Sequence, residues 1–380
     1  MSDTKAARFS AIRGLVRARY WWFLAGGAAI WFLNPAAGTV LLFAILLLAS
    51  GEGGPSRGAR LAVYALASTY VGLLAYTQTS TGLVPRDIIR YYGLYSVLAN
   101  APIIDIKKEL LSGAVPVFNA IQILLARPLH FPPQSLSFVC VGGTMLFFSL
   151  GFSRLARRTS ARPADEILLL IASFLFAFNL SQTGELLKQF LANSLFFYSF
   201  ALLSDGNPFF LVTMLASLGC HNSAFMFLPL LPLARVKSLE RGRITMAIAM
   251  CLAIAVAILG PFEIVSSIAK RIPGLQFLAA KASVYASLTW ADTPKRNILF
   301  LSLFLSLSLL IWWAKRDEKR TAIAPVLALC LGYCILAIAG IRCSVLAERI
   351  IGSGSAIYAA FLLLSLSCMS KPAGRIALWI

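Results

Sequence analysis

Long runs of apolar residues, separated by short polar segments, repeat along the whole chain. A membrane-spanning helix needs roughly 20 mainly apolar residues, and on that criterion the pattern predicts about twelve membrane segments. They lie near residues 20–34, 36–50, 61–79, 134–153, 165–180, 186–204, 208–220, 223–234, 244–260, 297–314, 322–340 and 350–369. The expected fold class is therefore all-α, a polytopic transmembrane helical bundle that forms one integral membrane domain over residues 1–380.

The composition supports this interpretation and excludes one class of function. Apolar residues make up 59% of the 380 residues and charged residues 13%, yet the net charge is +19. The basic residues fall in short clusters between the apolar runs, as they do in cytoplasmic loops. Nucleic-acid binding needs a basic patch on a folded soluble surface, so we expect no nucleic-acid partner. The seven cysteines are scattered and predict no disulfide framework.

The distribution of lysine and arginine also predicts an orientation. Residues 1–19 form a basic N-terminus that we place in the cytoplasm, and every strongly basic short loop then falls on the same side, with the C-terminus. Residues 109–127 would break this pattern as a crossing, so we interpret them as an interfacial or re-entrant helix. They belong to a large outer loop over residues 81–133, and residues 261–296 form a second one.

With this topology, four separate segments bring unusual polar residues to the outer side. The residues are Arg86, Asp87, Arg90 and Tyr91, then Glu185, Lys188 and Gln189, then His221 and Asn222, and last Arg342, Glu348 and Arg349. Within each of the first two segments the spacing i, i+3, i+4 places three side chains on one helix face. Single lysine and arginine side chains often extend to the membrane surface. This property does not explain why carboxylates, a histidine and a glutamine occur beside them.

These residue types suit a reaction at a phosphate group. Guanidinium groups bind phosphate oxygens in pairs, and an ammonium group adds a point charge. His221, with a side chain that titrates near neutral pH, could take a proton from a hydroxyl nucleophile, and an acidic residue could act as the base instead or orient the histidine. No second histidine lies at metal-ligand spacing, so we expect no metal and no cofactor. Fixed positive charge can stabilise a pyrophosphate leaving group by itself.

Four motifs resemble, in the same order, those of the EpsG-like family of bacterial polysaccharide polymerases. They are Arg86-Asp87 with Tyr91, Lys188-Gln189 with Ala192, His221-Asn222-Ser223-Ala224, and Ala347-Glu348-Arg349-Ile350. The second motif departs from the usual pattern, because Lys188 stands where the family carries arginine. The similarity extends over residues 60–360.

The resemblance implies a Wzy-type enzyme with a GT-C-like fold and interfacial helices in the outer loops. Such an enzyme works in the bacterial inner membrane with its active site facing the periplasm. It moves a growing glycan from undecaprenyl pyrophosphate onto a lipid-linked repeat unit, so donor, acceptor and membrane lipid are its partners, with a protein that regulates chain length. The product would be O-antigen, capsule or exopolysaccharide.

The resemblance also implies roles for the outer residues. Arg86, Arg90, Lys188, Arg342 and Arg349 would hold the pyrophosphate, and Tyr91, Glu185, Gln189 and Asn222 would complete the substrate-binding set. His221 would be the general base, with Asp87 or Glu348 as rival bases or as its partner. Two alternatives stay open: a flippase of lipid-linked oligosaccharide, which would carry charge along a path through the bilayer, and a membrane O-acyltransferase.

Overall fold

The computed structural model of the protein describes residues 19–50, 55–78, 86–112, 115–158, 163–172, 186–236, 261–271 and 324–339, together with residues 251, 280 and 283. These residues contain helices and no strand, which confirms the predicted all-α class. The chain divides into two compact units, Met1–Phe227 and Leu228–Ile380. The single integral membrane domain over residues 1–380 stays a prediction.

The described helices of the first unit follow the predicted apolar runs and the first outer loop. They are α1 (19–33), α2 (Pro35–Ala49), α3 (Arg57–Gln78), α4 (Arg86–Asn100), α5 (Ile103–Ser112), α6 (Pro116–Ala126), α7 (Gln134–Arg158), α8 (Pro163–Ala172), α9 (Leu187–Ser204) and α10 (Phe210–Cys220). Among the described helices, α3 and α7 are long and apolar enough to cross a membrane. The total of about twelve segments and the GT-C-like arrangement stay predictions.

Helices α1 and α2 form a hairpin with a sharp turn at Asn34. The Asn34 side chain caps α2 by accepting a hydrogen bond from the Ala37 amide at 3.1 Å, and Pro35 is the first helical residue. Gly38 packs directly on the main chain of Trp31, and a side chain at this position would overlap it. The polar capping residue and the proline therefore end one predicted run and begin the next.

Helices α3 and α7 pack antiparallel and closely. Gly142 of α7 lies against the Ser68 carbonyl, and Gly72 of α3 lies against the Phe138 carbonyl, so the two glycines let the backbones approach. A Cβ atom at position 72 would lie 2.8 Å from the Phe138 oxygen, which is too close for any side chain. The two glycines therefore determine how closely α3 and α7 pack against each other.

Helices α9 and α10 complete the bundle of the first unit. Phe148 of α7 stacks on Phe197 of α9 with ring centres 5.6 Å apart, and α7 and α9 run parallel. Helix α10 returns antiparallel to α9, because a turn with Gly206 at φ 75° connects them. Near the other end of this hairpin, the Ser217 hydroxyl donates to the Ala192 carbonyl at 2.6 Å.

The helix directions define two ends of the first unit. The end that holds Arg57, Arg154 and Asp205 is called the arginine end, and the opposite end, with Lys188 and His221, the histidine end. Residues predicted to share the cytoplasmic side gather at the arginine end, and those predicted to share the outer side gather at the histidine end. The loop charges and the helix directions therefore agree within the described residues, while the orientation of the two ends relative to a membrane stays a prediction.

Residues 109–127, predicted as an interfacial or re-entrant helix, lie in two short helices. Helix α6 has 11 residues, and at a rise of about 1.5 Å per residue it is far too short to cross a hydrocarbon core of about 30 Å. Phe118 and Gln122 of α6 are buried against the bundle. This stretch therefore packs at the histidine end and does not continue as a span; its depth relative to the membrane stays a prediction.

The second unit is described by two α-helices, α11 (Pro261–Arg271) and α12 (Ala324–Ala339). Helix α12 coincides with the predicted run at 322–340, and α11 lies in the predicted second outer loop. The predicted run at 223–234 is not an α-helix but a 3-10 helix over Asn222–Arg235 that contains Pro229 and Pro232. Each proline lacks an amide donor, which disfavours a regular α-helix there. The predicted runs at 244–260, 297–314 and 350–369 lie outside the described residues, apart from residue 251.

Candidate functional site

Helix α4 carries the first predicted motif to the histidine end. Its backbone begins at Arg86, so Arg86 and Asp87 occupy the first turn, while Arg90 is exposed and Tyr91 is 9% exposed. An acidic residue in a first turn is favoured by the helix dipole. The side chains of Arg86 and Asp87 are outside the described part of the chain, and their roles stay predictions.

Three hydrogen bonds hold α4 against α7 and against the connection between α6 and α7. The Tyr95 hydroxyl donates to the Phe131 carbonyl at 2.6 Å, and the Tyr92 hydroxyl lies 2.7 Å from the Ser137 hydroxyl. Arg127 Nε donates to the Leu98 carbonyl at 3.0 Å. Burial raises the pKa of Tyr95 above its usual value, which keeps the phenol protonated as a donor. The position of α4 is therefore set by buried contacts and not by its exposed face.

The central contact of the site joins three helices. Lys188 Nζ of α9 lies 5.2 Å from the ring centre of Tyr91 in α4 and 5.9 Å from that of Phe118 in α6. The two rings meet edge to face with their centres 5.5 Å apart. An ammonium group at this distance from an aromatic ring is attracted by about 0.5–2 kcal/mol. The two predicted motifs around Tyr91 and Lys188 are thus brought together.

Two buried amides lie in the helices that hold this cation. Gln122 of α6 is fully buried, and its Nε2 donates to the Tyr91 carbonyl at 3.2 Å. Gln189 is 3% exposed and lies beside Lys188 in the first turn of α9. Because buried polar groups are costly without partners, these amides favour one arrangement of α4, α6 and α9. Gln189 was predicted to bind substrate; its burial also makes it part of the packing.

His221 ends α10 in an extended conformation, with φ −159° and ψ 136°. Its Nδ1 accepts a hydrogen bond from the Ser223 amide at 3.1 Å and lies 2.6 Å from the Ser223 hydroxyl. A neutral imidazole has one accepting nitrogen, so the neutral ring carries its proton on Nε2. The proton-accepting atom of His221 is therefore Nδ1, and it faces Ser223.

Helix α6 connects the histidine with the lysine. Gly219, two residues before His221, packs directly on Val117, and the next residue of α6, Phe118, contacts Lys188. A side chain at position 219 would overlap Val117. The ends of α9 and α10 that carry Lys188 and His221 therefore meet neighbouring residues of one helix.

The remaining predicted residues have a mixed outcome. Asn222 is half-buried at the start of the 3-10 helix, next to His221. Residues Glu185, Arg342, Glu348 and Arg349 lie outside the described residues, and their roles stay predictions. Sequence reasoning missed Phe118 and Gln122, although they lie within the segment predicted to be interfacial. Ser223 was part of a quoted motif without a role of its own.

The donor set of this site is suited to anions and hydroxyl groups. It combines an ammonium group with an imidazole beside a serine hydroxyl, which are groups that bind phosphate oxygens or sugar hydroxyls. In the part of the chain that the structure describes, no group of three or more His, Cys, Asp and Glu side chains lies together. The expectation that the site needs no metal stays a prediction.

Comparison with known protein families identifies a match to this chain. The model of the EpsG family matches residues 66–380, a stretch that contains every residue of the candidate site. No curated protein and no solved structure matches the chain. The match covers most of the chain and begins inside α3.

Proposed function

The chain belongs to the EpsG family, and we propose that it is a Wzy-type glycosyltransferase that polymerises oligosaccharide repeat units linked to undecaprenyl pyrophosphate. Family membership indicates a membrane protein of polysaccharide biosynthesis. The observation that carries the finer proposal is the Lys188 ammonium group held over Tyr91 and Phe118 at the same end as His221. The motifs that resemble the family thus supply a cation and a proton acceptor together.

In this proposal the histidine end faces the periplasm and the arginine end faces the cytoplasm of a bacterial inner membrane, with both termini cytoplasmic. The support comes from the basic loops, which mark the cytoplasmic side of membrane proteins. Lipid-linked donor and acceptor reach the site from the bilayer, so their long apolar chains stay in lipid. A protein that regulates chain length is a further proposed partner.

Lys188 and the arginines bind the donor pyrophosphate. Lys188 supplies a point charge, whereas Arg86, Arg90, Arg342 and Arg349 supply planar groups that bind two oxygens at once. Tyr91 is a positioning residue, because its ring holds the Lys188 ammonium group and is itself largely buried. Positive charge placed before the reaction stabilises the departing pyrophosphate, and no metal ion is required for that step.

His221 accepts the proton of the acceptor hydroxyl through Ser223. As the acceptor oxygen attacks the anomeric carbon, its proton passes to Ser223 Oγ while the Ser223 proton passes to His221 Nδ1. The 2.6 Å separation of those two atoms supports this relay. The new glycosidic bond forms as the bond to pyrophosphate breaks, which inverts the anomeric centre. Asp87 and Glu348 are the rival bases, and Asn222, Gln189 and Glu185 bind sugar hydroxyls.

Deletion of the gene, followed by gel analysis of surface glycan, tests the proposal. A polymerase mutant carries one repeat unit on each anchor, and the wild-type gene restores long chains. Loss of all surface glycan with lipid-linked units retained in the cytoplasmic leaflet would contradict the proposal and indicate a flippase. Unchanged chain length with loss of acyl groups from the glycan would indicate an O-acyltransferase.

A His221→Ala variant tests whether His221 takes part in the reaction, separately from any effect on folding. We expect the deletion strain that carries this variant to show single repeat units although the protein is present in the membrane at wild-type amount. Wild-type chain lengths in this strain would remove His221 from the reaction. His130, the other histidine of the chain, is exposed and has no role in the proposal, so His130→Ala is the matched control and should leave chain length unchanged.

A further inference from the structure

A second polar cleft lies at the arginine end, between α3, α7 and α9 of the first unit. Four arginines and two tyrosines dominate its wall: Arg57, Arg60, Tyr64, Arg154, Arg157 and Tyr198. We call it the arginine cleft. The cleft is partly open to solvent, and its interior volume is about 20 Å³, enough for about one water molecule, so a phosphate would lie at its open mouth.

Buried contacts fix one side of the cleft. Arg60 Nη1 lies 3.0 Å from Glu166 Oε2, and the Tyr64 hydroxyl donates to Glu166 Oε1 at 2.8 Å. The Glu166 side chain is 1% exposed, so each of its carboxylate oxygens has one partner in the protein. Glu166 therefore orients Arg60 and Tyr64 from behind and is unavailable to a ligand.

The opposite side is held in a similar way. Arg154 Nη1 lies 2.8 Å from Asp205 Oδ2, and its guanidinium carbon lies 5.8 Å from the ring centre of Tyr198. Arg158 also approaches Asp205, at 4.0 Å. Side chains already held in place lose little conformational entropy when a ligand binds. Contacts within the protein thus organise both walls of the cleft.

The cleft carries more positive than negative charge. Five arginines, four in the cleft and Arg158 beside it, meet two carboxylates, so three positive charges remain among the described residues. Within that part of the chain, Arg57 and Arg157 form no ion pair, and Arg60 Nε is buried without a hydrogen-bond partner. Arg157 lies close enough to Glu166 to be attracted by it, and close enough to Arg60, Arg57 and Arg154 to be repelled by them. An anion in the cleft would relieve this repulsion.

The orientation of the protein in a membrane does not require such a cleft. Basic residues mark the cytoplasmic side by their number, and each side chain can extend separately into water. Here arginines from two helices converge on one concavity with aromatic walls. The convergence of four arginines on one concavity points to a ligand.

We propose that the arginine cleft binds a phosphate group from the side opposite the polymerase site. Guanidinium groups match phosphate oxygens in pairs, and among the described residues neither Arg57 nor Arg157 forms a direct ion pair with a carboxylate. The phosphate belongs either to the headgroup of an anionic phospholipid or to a soluble phosphate compound. The site goes beyond the proposed function, because it lies at the arginine end and uses none of the residues around Lys188 and His221.

The test uses the full-length protein in phosphatidylcholine nanodiscs. Thermal unfolding is recorded with inorganic phosphate added to the buffer, and separately with phosphatidylglycerol replacing part of the lipid, because a ligand that binds the folded state raises the unfolding temperature. We expect the wild type to be stabilised by at least one probe. The double variant R57Q/R157Q should bind that probe about tenfold more weakly or worse, since two charge-assisted contacts are lost.

The control is the double variant R19Q/R235Q, which removes two exposed arginines of other segments and should respond as the wild type does. Stabilisation by phosphatidylglycerol alone would assign the site to a lipid headgroup, and stabilisation by inorganic phosphate would assign it to soluble phosphates. No stabilisation by either probe, or an equal response in R57Q/R157Q, would overturn the proposal. An equal loss in R19Q/R235Q would overturn it as well, because only the total charge would then matter.

Discussion

The Lys188 ammonium group lies 5.2 Å from the centre of the Tyr91 ring, although 97 positions separate the two residues in the chain. The contact depends on α6, whose Phe118 covers the edge of the ring and lies 5.9 Å from the same ammonium group. The outer loop thus provides the surface on which a helix of the bundle holds its cation. The position of Lys188 in the proposed pyrophosphate site therefore depends on the packing of α4 and α6.

Tyr91→Leu should lower chain extension, because the loss of the ring removes an attraction of about 0.5–2 kcal/mol and lowers activity by about 2- to 30-fold. Tyr91→Phe keeps the ring and should retain most of the activity. Both variants are expressed in the deletion strain, and chain length is compared on gels at equal amounts of membrane protein. Equal chain lengths for Leu and Phe would show that the ring does not position Lys188.

Ser223→Ala should reduce turnover strongly, since the acceptor proton then has no path to His221 Nδ1. A lost general-base contribution corresponds to about 10²- to 10⁴-fold in rate. Ser223→Thr keeps a hydroxyl group and should recover part of the rate. Turnover of purified protein on a lipid-linked repeat unit is measured as a function of pH. The rise in rate that reports deprotonation of the general base should be lost in the Ala variant and kept in the Thr variant. An unchanged profile would transfer the role to Asp87 or Glu348.

Removal of divalent metal ions should leave turnover intact, because the proposed charge stabilisation comes from lysine and arginine side chains. The purified protein is treated with a chelator, and polymerisation is compared with an untreated sample. Activity that is lost with the chelator and restored by Mg²⁺ would contradict the metal-independent reaction. Arg86→Lys is the companion variant: it keeps the charge, loses the two-oxygen geometry and should impair activity.

Glu166→Gln should destabilise the first unit far more than Asp205→Asn. The Glu166 side chain is 1% exposed and pairs with Arg60, whereas the Asp205 side chain is 34% exposed. Removing one partner of a buried ion pair costs about 3–5 kcal/mol, while an exposed pair contributes about 0–1 kcal/mol. Reversible unfolding in detergent measures both losses. Similar losses of unfolding free energy in the two variants would show that Glu166 is accessible to water.

Gly72→Ala and Gly93→Ala should change stability in opposite directions. A Cβ atom at position 72 would lie 2.8 Å from the Phe138 carbonyl oxygen, but one at position 93 would have no atom within 4 Å. Crowding at position 72 should cost about 1–3 kcal/mol, whereas Gly93→Ala should stabilise α4 by about 0.4–1 kcal/mol. The same unfolding assay compares the two variants. A neutral Gly72→Ala would show that α3 and α7 can separate without cost.

Helix positions in the first unit were largely predictable because lipid-length apolar runs and their breaks are local properties. Asn34-Pro35 ends one run and caps the next, and the ends of α3 and α7 coincide with clusters of arginine. The 3-10 helix over Asn222–Arg235 was not predicted, since hydropathy alone does not distinguish a proline-containing 3-10 segment from an α-helix.

Several residues of the candidate site could be predicted from the sequence, but the contacts between them could not. Lys188, Tyr91 and His221 stand out as polar residues at the ends of apolar runs, whereas Phe118 and Gln122 look like ordinary residues of an amphipathic helix. Only the packing of α6 against α4 and α9 gives them a role. Likewise, the basic clusters that contain Arg57 and Arg154 were interpreted only as cytoplasmic loops, and the convergence of these two arginines on a cleft follows from the helix register.

The order of the amino acids by itself determined that the described part of the chain is helical and which runs are apolar, and it predicted which charged groups share a side, because each of these depends on residues close together in the chain. Tertiary structure alone decided which of those groups meet. Lys188 reaches Tyr91, and Arg57 reaches Arg157, only because glycines permit close backbone approach and because α9 runs parallel to α7. Contacts between distant residues depend on packing geometry, which the hydropathy pattern does not specify.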